Sequence, residues 1–209
     1  ISAFLIIAFV AVATLAPVRS SDAQTAAALY KQGRESMMKF TPAGFDDAVK
    51  LFNQAISADP NYAPAYAGLG EVYSFIGFYR YLVKEDYEKY YIDSYENMVK
   101  ALKLAPNSLE TQLALAYTYL HLDREKDAMN AAQRVLAMDP DNGEGMYILW
   151  AAKGENPDAP EIRKALELSP NLVPAYLSLG TAYFYKKRAY SAAVPWYNKT
   201  VVLAESAQI

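Results

Sequence analysis

Small and apolar side chains recur at helical spacing along this chain. Three segments show the pattern most clearly, each with such residues at intervals of four and then three: Ala48, Phe52, Ala55; Ser94, Met98, Ala101; Ala128, Ala132, Val135. Residues at these intervals share one face of an α-helix. Each segment is therefore predicted to be a helix that packs by this face on its neighbours.

A thirteen-residue fragment also recurs between the helical segments. Residues 58–70 return as residues 168–180, and shorter echoes surround Pro106 and Pro140. The prolines at 60, 106, 140 and 170 are 46, 34 and 30 residues apart. The sixth and ninth residues after each proline are mostly large: Tyr66, Gln112, Met146 and Tyr176, then Leu69, Leu115, Leu149 and Leu179. A helix is predicted after each proline, and the chain is predicted to be a repeat array.

The 34-residue interval and the pattern aromatic-x-x-Leu-Gly-x-x-Tyr resemble the tetratricopeptide-repeat family. The pattern is completed by Tyr73, Tyr119 and Tyr183, while Trp150 stands where the family carries a small residue. The resemblance covers residues 26–204. It implies an all-α, right-handed superhelix, or α-solenoid, of about five helix pairs that are stable only through stacking on one another.

The resemblance also implies a binding groove, because the first helices of such arrays line the concave face. It places in the groove a partner-binding set made of Leu113, Tyr117, Tyr147, Leu177 and Phe184. The Lys, Asn and Arg residues with which some family members hold a peptide carboxylate are missing from these positions. An apolar groove suits an amphipathic helix or an extended apolar segment. The alternative is that several of these residues pack inside the array.

The unit between Pro60 and Pro106 is 12 residues longer than the family period, and its surplus is assigned to residues 78–91. Sharing the insertion between two antiparallel helices would lengthen each by about one and a half turns. The resulting projection, called the prong below, is rich in tyrosines that are predicted to bind a partner: Tyr79, Tyr81, Tyr87, Tyr90 and Tyr91. Tyrosine is enriched in protein interfaces. The alternative is that half of these rings pack between the two helices.

Residues 1–20 form an apolar N-terminal segment, with no charge before Arg19. One interpretation is a retained element that contacts a membrane through residues 1–18 or joins an assembly. The other is a secretory signal cleaved before Gln24, which would leave a free periplasmic adaptor. Both interpretations place the repeats outside the cytoplasm, on the periplasmic side of a membrane or in the extracellular space.

The last predicted helix is apolar where repeat arrays normally carry a polar cap. Its residues Trp196 and Val202, with Phe4 and Ile7 of the N-terminal segment, are expected to mediate self-association. A contact between two different surfaces of one molecule produces open polymers. A self-assembling extracellular filament subunit is therefore an alternative function.

The amino-acid composition narrows the remaining classes of function. The 209 residues carry a formal net charge of −3 and contain no cysteine and one histidine, His121. The acidic balance argues against nucleic acid as a partner. No catalytic, phosphate-binding or metal-binding motif is present, so no catalytic residue, cofactor, metal or small-molecule substrate is expected. The favoured function is a non-enzymatic scaffold that binds other proteins.

Overall fold

The computed structural model describes residues 20–206, and this range contains helices and no strand. Ten α-helices follow one another as five pairs, and a π-helical turn at Ala182–Lys186 continues the ninth. Their bounds are α1 Ser20–Met37, α2 Pro42–Ala58, α3 Ala63–Leu82, α4 Glu88–Leu104, α5 Leu109–His121, α6 Glu125–Met138, α7 Gly143–Ala152, α8 Pro160–Leu168, α9 Val173–Thr181 and α10 Tyr190–Ser206. The prediction of an all-α solenoid built from helix pairs is confirmed.

The N-terminal segment, with Phe4 and Ile7, lies outside the described residues. Among the helices of residues 20–206, none has both the length and the apolar character needed to cross a bilayer.

The recurring proline fragment is the turn between one pair and the next. Tyr66 and Tyr176 each donate a hydroxyl hydrogen bond to the carbonyl of the proline six residues earlier, both at 3.1 Å. Gln112 makes the same bond to Pro106 through Nε2 at 2.6 Å. The sixth residue after each proline is therefore large and polar in three of the four units because it closes this turn.

Close packing of the first helices on Phe52 requires glycine at two positions. The ring of Phe52 on α2 is fully buried between α1 and α3. A Cβ atom added to Gly33 would lie 2.5 Å from this ring, and one added to Gly68 would lie 2.7 Å from it. Glycine at both positions lets the two first helices approach the same aromatic ring.

Each turn inside a pair contains one non-glycine residue with a positive φ angle, between 50° and 59°: Phe40, Lys84, Asp123, Glu155 and Arg188. The ends of α3 and α5 form Schellman caps around this residue. After α3, the amide of Glu85 donates to the Arg80 carbonyl at 2.9 Å and that of Lys84 to the Tyr81 carbonyl at 3.1 Å. Main-chain hydrogen bonds thus close these turns without glycine.

The insertion lengthens the two helices of the prong unequally, which corrects the expected even division. Helix α3 has 20 residues where α5 has 13, and α4 has 17 where α6 has 14. Most of the added length therefore belongs to α3, whose last turns extend past the end of α5.

The fourth helix pair accommodates the large side chain of Trp150. The indole is 1% exposed, and its Nε1 donates to the Asn156 carbonyl at 2.7 Å. This bond holds the turn that leads into α8, which has only 9 residues. The buried indole of Trp150 thus ties α7 to the loop that precedes α8.

Candidate functional site

The concave face of the array is closed at its N-terminal half by an arginine. Arg34 on α1 donates from Nη1 to Glu71 Oε2 on α3 at 2.6 Å, and from Nη2 to Glu144 Oε1 on α7 at 3.0 Å. Arg34 and Glu144 are 110 residues apart in the chain. The array therefore curves enough for its first helix to reach its fourth pair.

Two carboxylates share this one guanidinium in a poorly hydrated place. The side chains of Arg34, Glu71 and Glu144 are 17%, 2% and 18% exposed. Burial raises the pKa of Glu71 to about 7, against the opposing attraction of Arg34 and with a smaller contribution from Glu144. Burial opposes the charge on Arg34, but the two glutamates outweigh it and raise its pKa above the ordinary value. Burial thus favours the neutral form of Glu71 beside the charged Arg34.

Two polar atoms beside the ion pairs have no hydrogen-bond partner within residues 20–206. They are Oε1 of Glu71 and the hydroxyl of Tyr117, and both are fully buried. Burial, with the charges of Glu144 and Glu71, raises the pKa of Tyr117 well above its ordinary value. Buried polar groups without partners are rare in folded proteins. The groups around Arg34 can therefore form more hydrogen bonds than Arg34 makes with them.

The groove predicted from the sequence is open only at its C-terminal end. Leu113, Tyr117 and Tyr147 are at most 7% exposed, so the expectation that they face a partner is corrected. The curvature that brings α1 to α7 packs these side chains inside the array, and Tyr147 forms a 3.0 Å hydrogen bond with Ser178. Leu177 and Phe184 remain exposed, at 48% and 37%.

His121 is half-buried at the end of α5. Its ring stacks on Phe78 at 5.0 Å and meets the edge of Phe75 at 4.5 Å. Nδ1 lies 2.9 Å from Ser74 Oγ, and that hydroxyl donates to the Glu71 carbonyl at 2.7 Å. Nδ1 is therefore the donor toward Ser74. Burial lowers the pKa of His121 to about 3, so the imidazole is neutral at physiological pH.

A cavity of about 490 Å³ adjoins His121 at the ends of α5, α7 and the π-helical turn. Asp123, Glu125 and Glu155 line it together with Lys153 and Lys186. Lys186 already pairs with Glu155 at 3.1 Å, and Lys153 with Glu161 at 3.0 Å. The cavity is thus polar and of mixed charge. Within residues 20–206, no group of three or more His, Cys, Asp or Glu side chains is arranged to hold a metal ion.

The prong divides its tyrosines between two environments. Tyr79 and Tyr81 are 58% and 52% exposed, next to Leu82 and Val83 at the tip. Tyr87, Tyr90 and Tyr91 are half-buried. The Tyr91 hydroxyl donates to the His121 carbonyl at 3.3 Å, and its ring covers Gly77. Of the five predicted partner-binding tyrosines, two are free over most of their surface, while the other three also pack the prong.

A second cavity of about 620 Å³ lies between the prong and the α1–α2 turn. Its walls are largely aromatic and apolar, with Phe40, Phe45, Ile76, Tyr79 and Tyr90 among them. Arg80 stands at its edge, 5.0 Å above the Tyr90 ring and paired with Glu85 at 3.1 Å. Tyr79 therefore joins the exposed tip to this cavity.

At the C-terminal end, the two residues expected to self-associate differ. Trp196 is half-buried, with its ring stacked on Tyr183 at 6.3 Å. Val202 is 56% exposed, and Val194 and Val201 on the same helix are exposed to a similar extent. Val202 is thus available for a contact, whereas Trp196 mainly joins α10 to the preceding helices.

Neither Arg34 nor its partners Glu71 and Glu144 were singled out from the sequence as site residues. Two acids at groove positions of separate repeats, among aromatic residues, require a cation when the groove closes. This requirement was the available signal. It did not identify the cation, because Arg34 precedes the first proline turn by 26 residues.

Comparisons with known proteins support the helix-pair architecture. The model of the tetratricopeptide repeat family matches residues 109–142, which span α5, α6 and the turn before α7. No curated protein matches the sequence of this chain. Among solved structures, the chain is similar to Pseudomonas aeruginosa pilF, with 17% identity, 87% of this chain and 77% of that chain covered, and a TM-score of 0.53.

Structures of MamA are also similar to this chain. One shares 26% identity over 82% of this chain and 95% of that chain, with a TM-score of 0.44. MamA from Desulfovibrio magneticus RS-1 shares 19% identity over 87% of this chain and 96% of that chain, with a TM-score of 0.46. The family model thus matches one tetratricopeptide repeat, residues 109–142, and helix pairs of the same kind are stacked on both sides of it.

Proposed function

We propose that this protein is a non-enzymatic scaffold that binds another protein through the tip of its prong. The observation that carries the proposal is the exposure of four neighbouring large residues, Tyr79, Tyr81, Leu82 and Val83, each at least 46% accessible. Exposed apolar side chains that cluster together mark interaction surfaces. Tyrosine adds a hydroxyl that orients a partner.

The position of the tip strengthens the proposal. Residues beyond the length of an ordinary first helix have no counterpart on the neighbouring repeat, so packing between repeats does not account for their apolar character. The adjoining cavity beside Tyr79 offers a recess of about 620 Å³ for a partner side chain. An exposed aromatic tip with a recess at its side is suited to binding the surface of another protein.

Site-specific photocrosslinking in the source cells tests this function. Benzoylphenylalanine placed at Tyr81 should give one discrete protein adduct. The adduct should disappear when Tyr79→Ser and Leu82→Ser are added to the same chain. The matched control is the same probe at Tyr95, which is 68% exposed on α4 away from the tip. Equal adducts from both positions would contradict the proposal.

We propose further that the scaffold works outside the cytoplasm and that residues 1–18 hold it at a membrane or in an assembly. The support is the uncharged apolar sequence that precedes Arg19. N-terminal sequencing of native material, after separation of membranes from soluble fractions, tests this part. A soluble product that begins at Gln24 would replace the anchored scaffold with a free adaptor.

Self-assembly is a second candidate function, favoured by α10. Val194 and Val201 are seven residues apart on one face of this helix, and both are more than half exposed. Sedimentation velocity of the full chain should show concentration-dependent association that Val201→Asp weakens. Lys199→Gln, an exposed change of the same net charge about 140° around the helix from Val194, is the matched control. A chain that stays monomeric well above micromolar concentration would exclude this candidate.

A further inference from the structure

We propose that Glu71, Glu144 and Tyr117 form a guanidinium-binding site inside the array, and that α1 occupies it with its own Arg34. An arginine of a partner enters only when α1 moves away, so α1 is an autoinhibitory element. The site stands on the geometry alone. The partner's arginine rests on the scaffold function proposed above.

The geometry of the acceptors matches a planar fork. Glu71 takes one terminal nitrogen of the guanidinium at 2.6 Å, while both oxygens of Glu144 lie within 3.3 Å of the other. An ammonium group is a point charge that donates from a single nitrogen, so it does not reproduce the donation from two separate nitrogens seen here. The arrangement therefore selects guanidinium over amine.

The site also offers more than Arg34 uses. Glu71 Oε1 is a free acceptor, and the Tyr117 hydroxyl has neither donor nor acceptor partner within the described chain. A guanidinium carries five N–H donors. A structural ion pair optimised for Arg34 alone would leave no such atoms buried, because each unpaired polar group costs stability.

The occupant and the acceptors belong to different helices. Arg34 lies on α1, where between Ser21 and Met37 only Ala26, Gly33 and Met37 are buried. The acceptors lie on α3, α5 and α7, three first helices of the array. The acceptor site thus spans three helix pairs, and a single further helix supplies its occupant.

Chemical rescue tests the site. Arg34→Ala leaves the space of the side chain and should lower the melting temperature by several degrees. Ethylguanidinium at about 10 mM should then raise it by about 3 °C, the shift expected for tenfold saturation of a site in a chain of this size. Ethylammonium at the same concentration should not. Lys31→Ala, an exposed loss of the same charge on α1, is the matched control and should respond to neither ligand.

Two further variants assign the effect to the proposed residues. Adding Glu71→Gln to Arg34→Ala should abolish the rescue, and adding Tyr117→Phe should weaken it. If Arg34→Ala does not fold alone, the ligands are present during refolding, and the recovered helical circular dichroism signal replaces the melting temperature. Rescue by both cations, or by neither, would overturn the site.

The affinity of an arginine peptide for the altered and unaltered chains measures the autoinhibition. Acetyl-Gly-Arg-Gly-amide should bind Arg34→Ala at least tenfold more tightly than the unaltered chain, and acetyl-Gly-Lys-Gly-amide should bind neither. Equal affinity for the two proteins would overturn the role of α1 while leaving the ethylguanidinium result intact. The crosslinking of the prong is independent of both, so its failure would remove the scaffold and not the site.

Discussion

Tyrosine has opposite surroundings in two regions of this molecule. In the interior, Tyr117 and Tyr147 are at most 5% exposed, while at the prong tip Tyr79 and Tyr81 are more than half exposed. All four lie on first helices of helix pairs. The difference is their distance along the helix, because a neighbouring repeat covers the first turns of α3 and ends before the last ones. A ring is core or surface according to whether an adjacent helix is long enough to reach it.

The largest effect should come from the interior. Trp150→Ala should lower the free energy of unfolding by about 4 kcal/mol, because it opens a cavity and leaves the Asn156 carbonyl without its indole donor. Denaturation by urea, followed by circular dichroism, measures the loss. Trp196→Ala on the half-buried last helix is the matched control and should cost about half as much. Equal losses would show that the fourth pair, around Trp150, and the last helix, around Trp196, are packed equally well.

The buried charges should give the interior a pH dependence that the prong lacks. The pKa of Glu71 is raised from 4.5 to about 7 in the folded chain. The folded state therefore holds this proton more tightly, and its contribution to stability is complete below pH 4.5 and is lost as pH rises through about 7. Urea titrations between pH 5 and 8 should show a fall on the order of 2 kcal/mol. Arg34 and Glu144 are the other ionisable groups acting on Glu71.

Glu71→Gln is the control for this dependence, since an amide does not titrate. Its absolute stability will differ because Arg34 loses one partner, so the comparison concerns the slopes. A slope in the variant as steep as that of the unaltered chain would assign the pH dependence to another group.

Two interior tyrosines should respond in opposite directions to loss of the hydroxyl. Tyr147→Phe removes a bond to Ser178 and should cost about 1 kcal/mol. Tyr117→Phe removes a buried hydroxyl without a partner, so the free energy of unfolding should stay constant or rise by up to about 1 kcal/mol. Equal losses in urea denaturation would mean that the Tyr117 hydroxyl has a partner in solution.

The smallest change is expected at the prong. Tyr79→Ser and Tyr81→Ser together should alter the free energy of unfolding by no more than about 0.5 kcal/mol, because exposed rings contribute little to folding. Differential scanning calorimetry checks this. Tyr91→Ser, which removes a half-buried ring and its bond to His121, should be clearly more destabilising. A large loss from the exposed pair would place these rings in the core and weaken the proposed interface.

Local features of the fold were predictable from the sequence. The proline turns depend on contacts between adjacent pairs, and they recur along the chain as a short pattern. The contact between Arg34 and Glu144 depends instead on the curvature accumulated over four pairs. No local pattern records that sum, so the sequence predicted an open groove where Tyr117 is buried. The unequal division of the insertion between α3 and α4 was hidden for a different reason. The turn after α3 is closed around Lys84, whose positive φ angle is not marked by a glycine in the sequence.

The length of α3 also has a rotational consequence. Helices α3 and α5 begin three residues after their prolines, and α3 is longer by seven residues, 20 against 13. At about 3.6 residues per turn, seven residues are almost two complete revolutions. The chain therefore leaves α3 on nearly the same side of the helix as it leaves α5, and α4 returns in phase with the other second helices. An insertion of about five residues would turn the exit roughly 140° away, so the length of the prong can change only by nearly whole revolutions, about 4, 7 or 11 residues, without dislocating the stack.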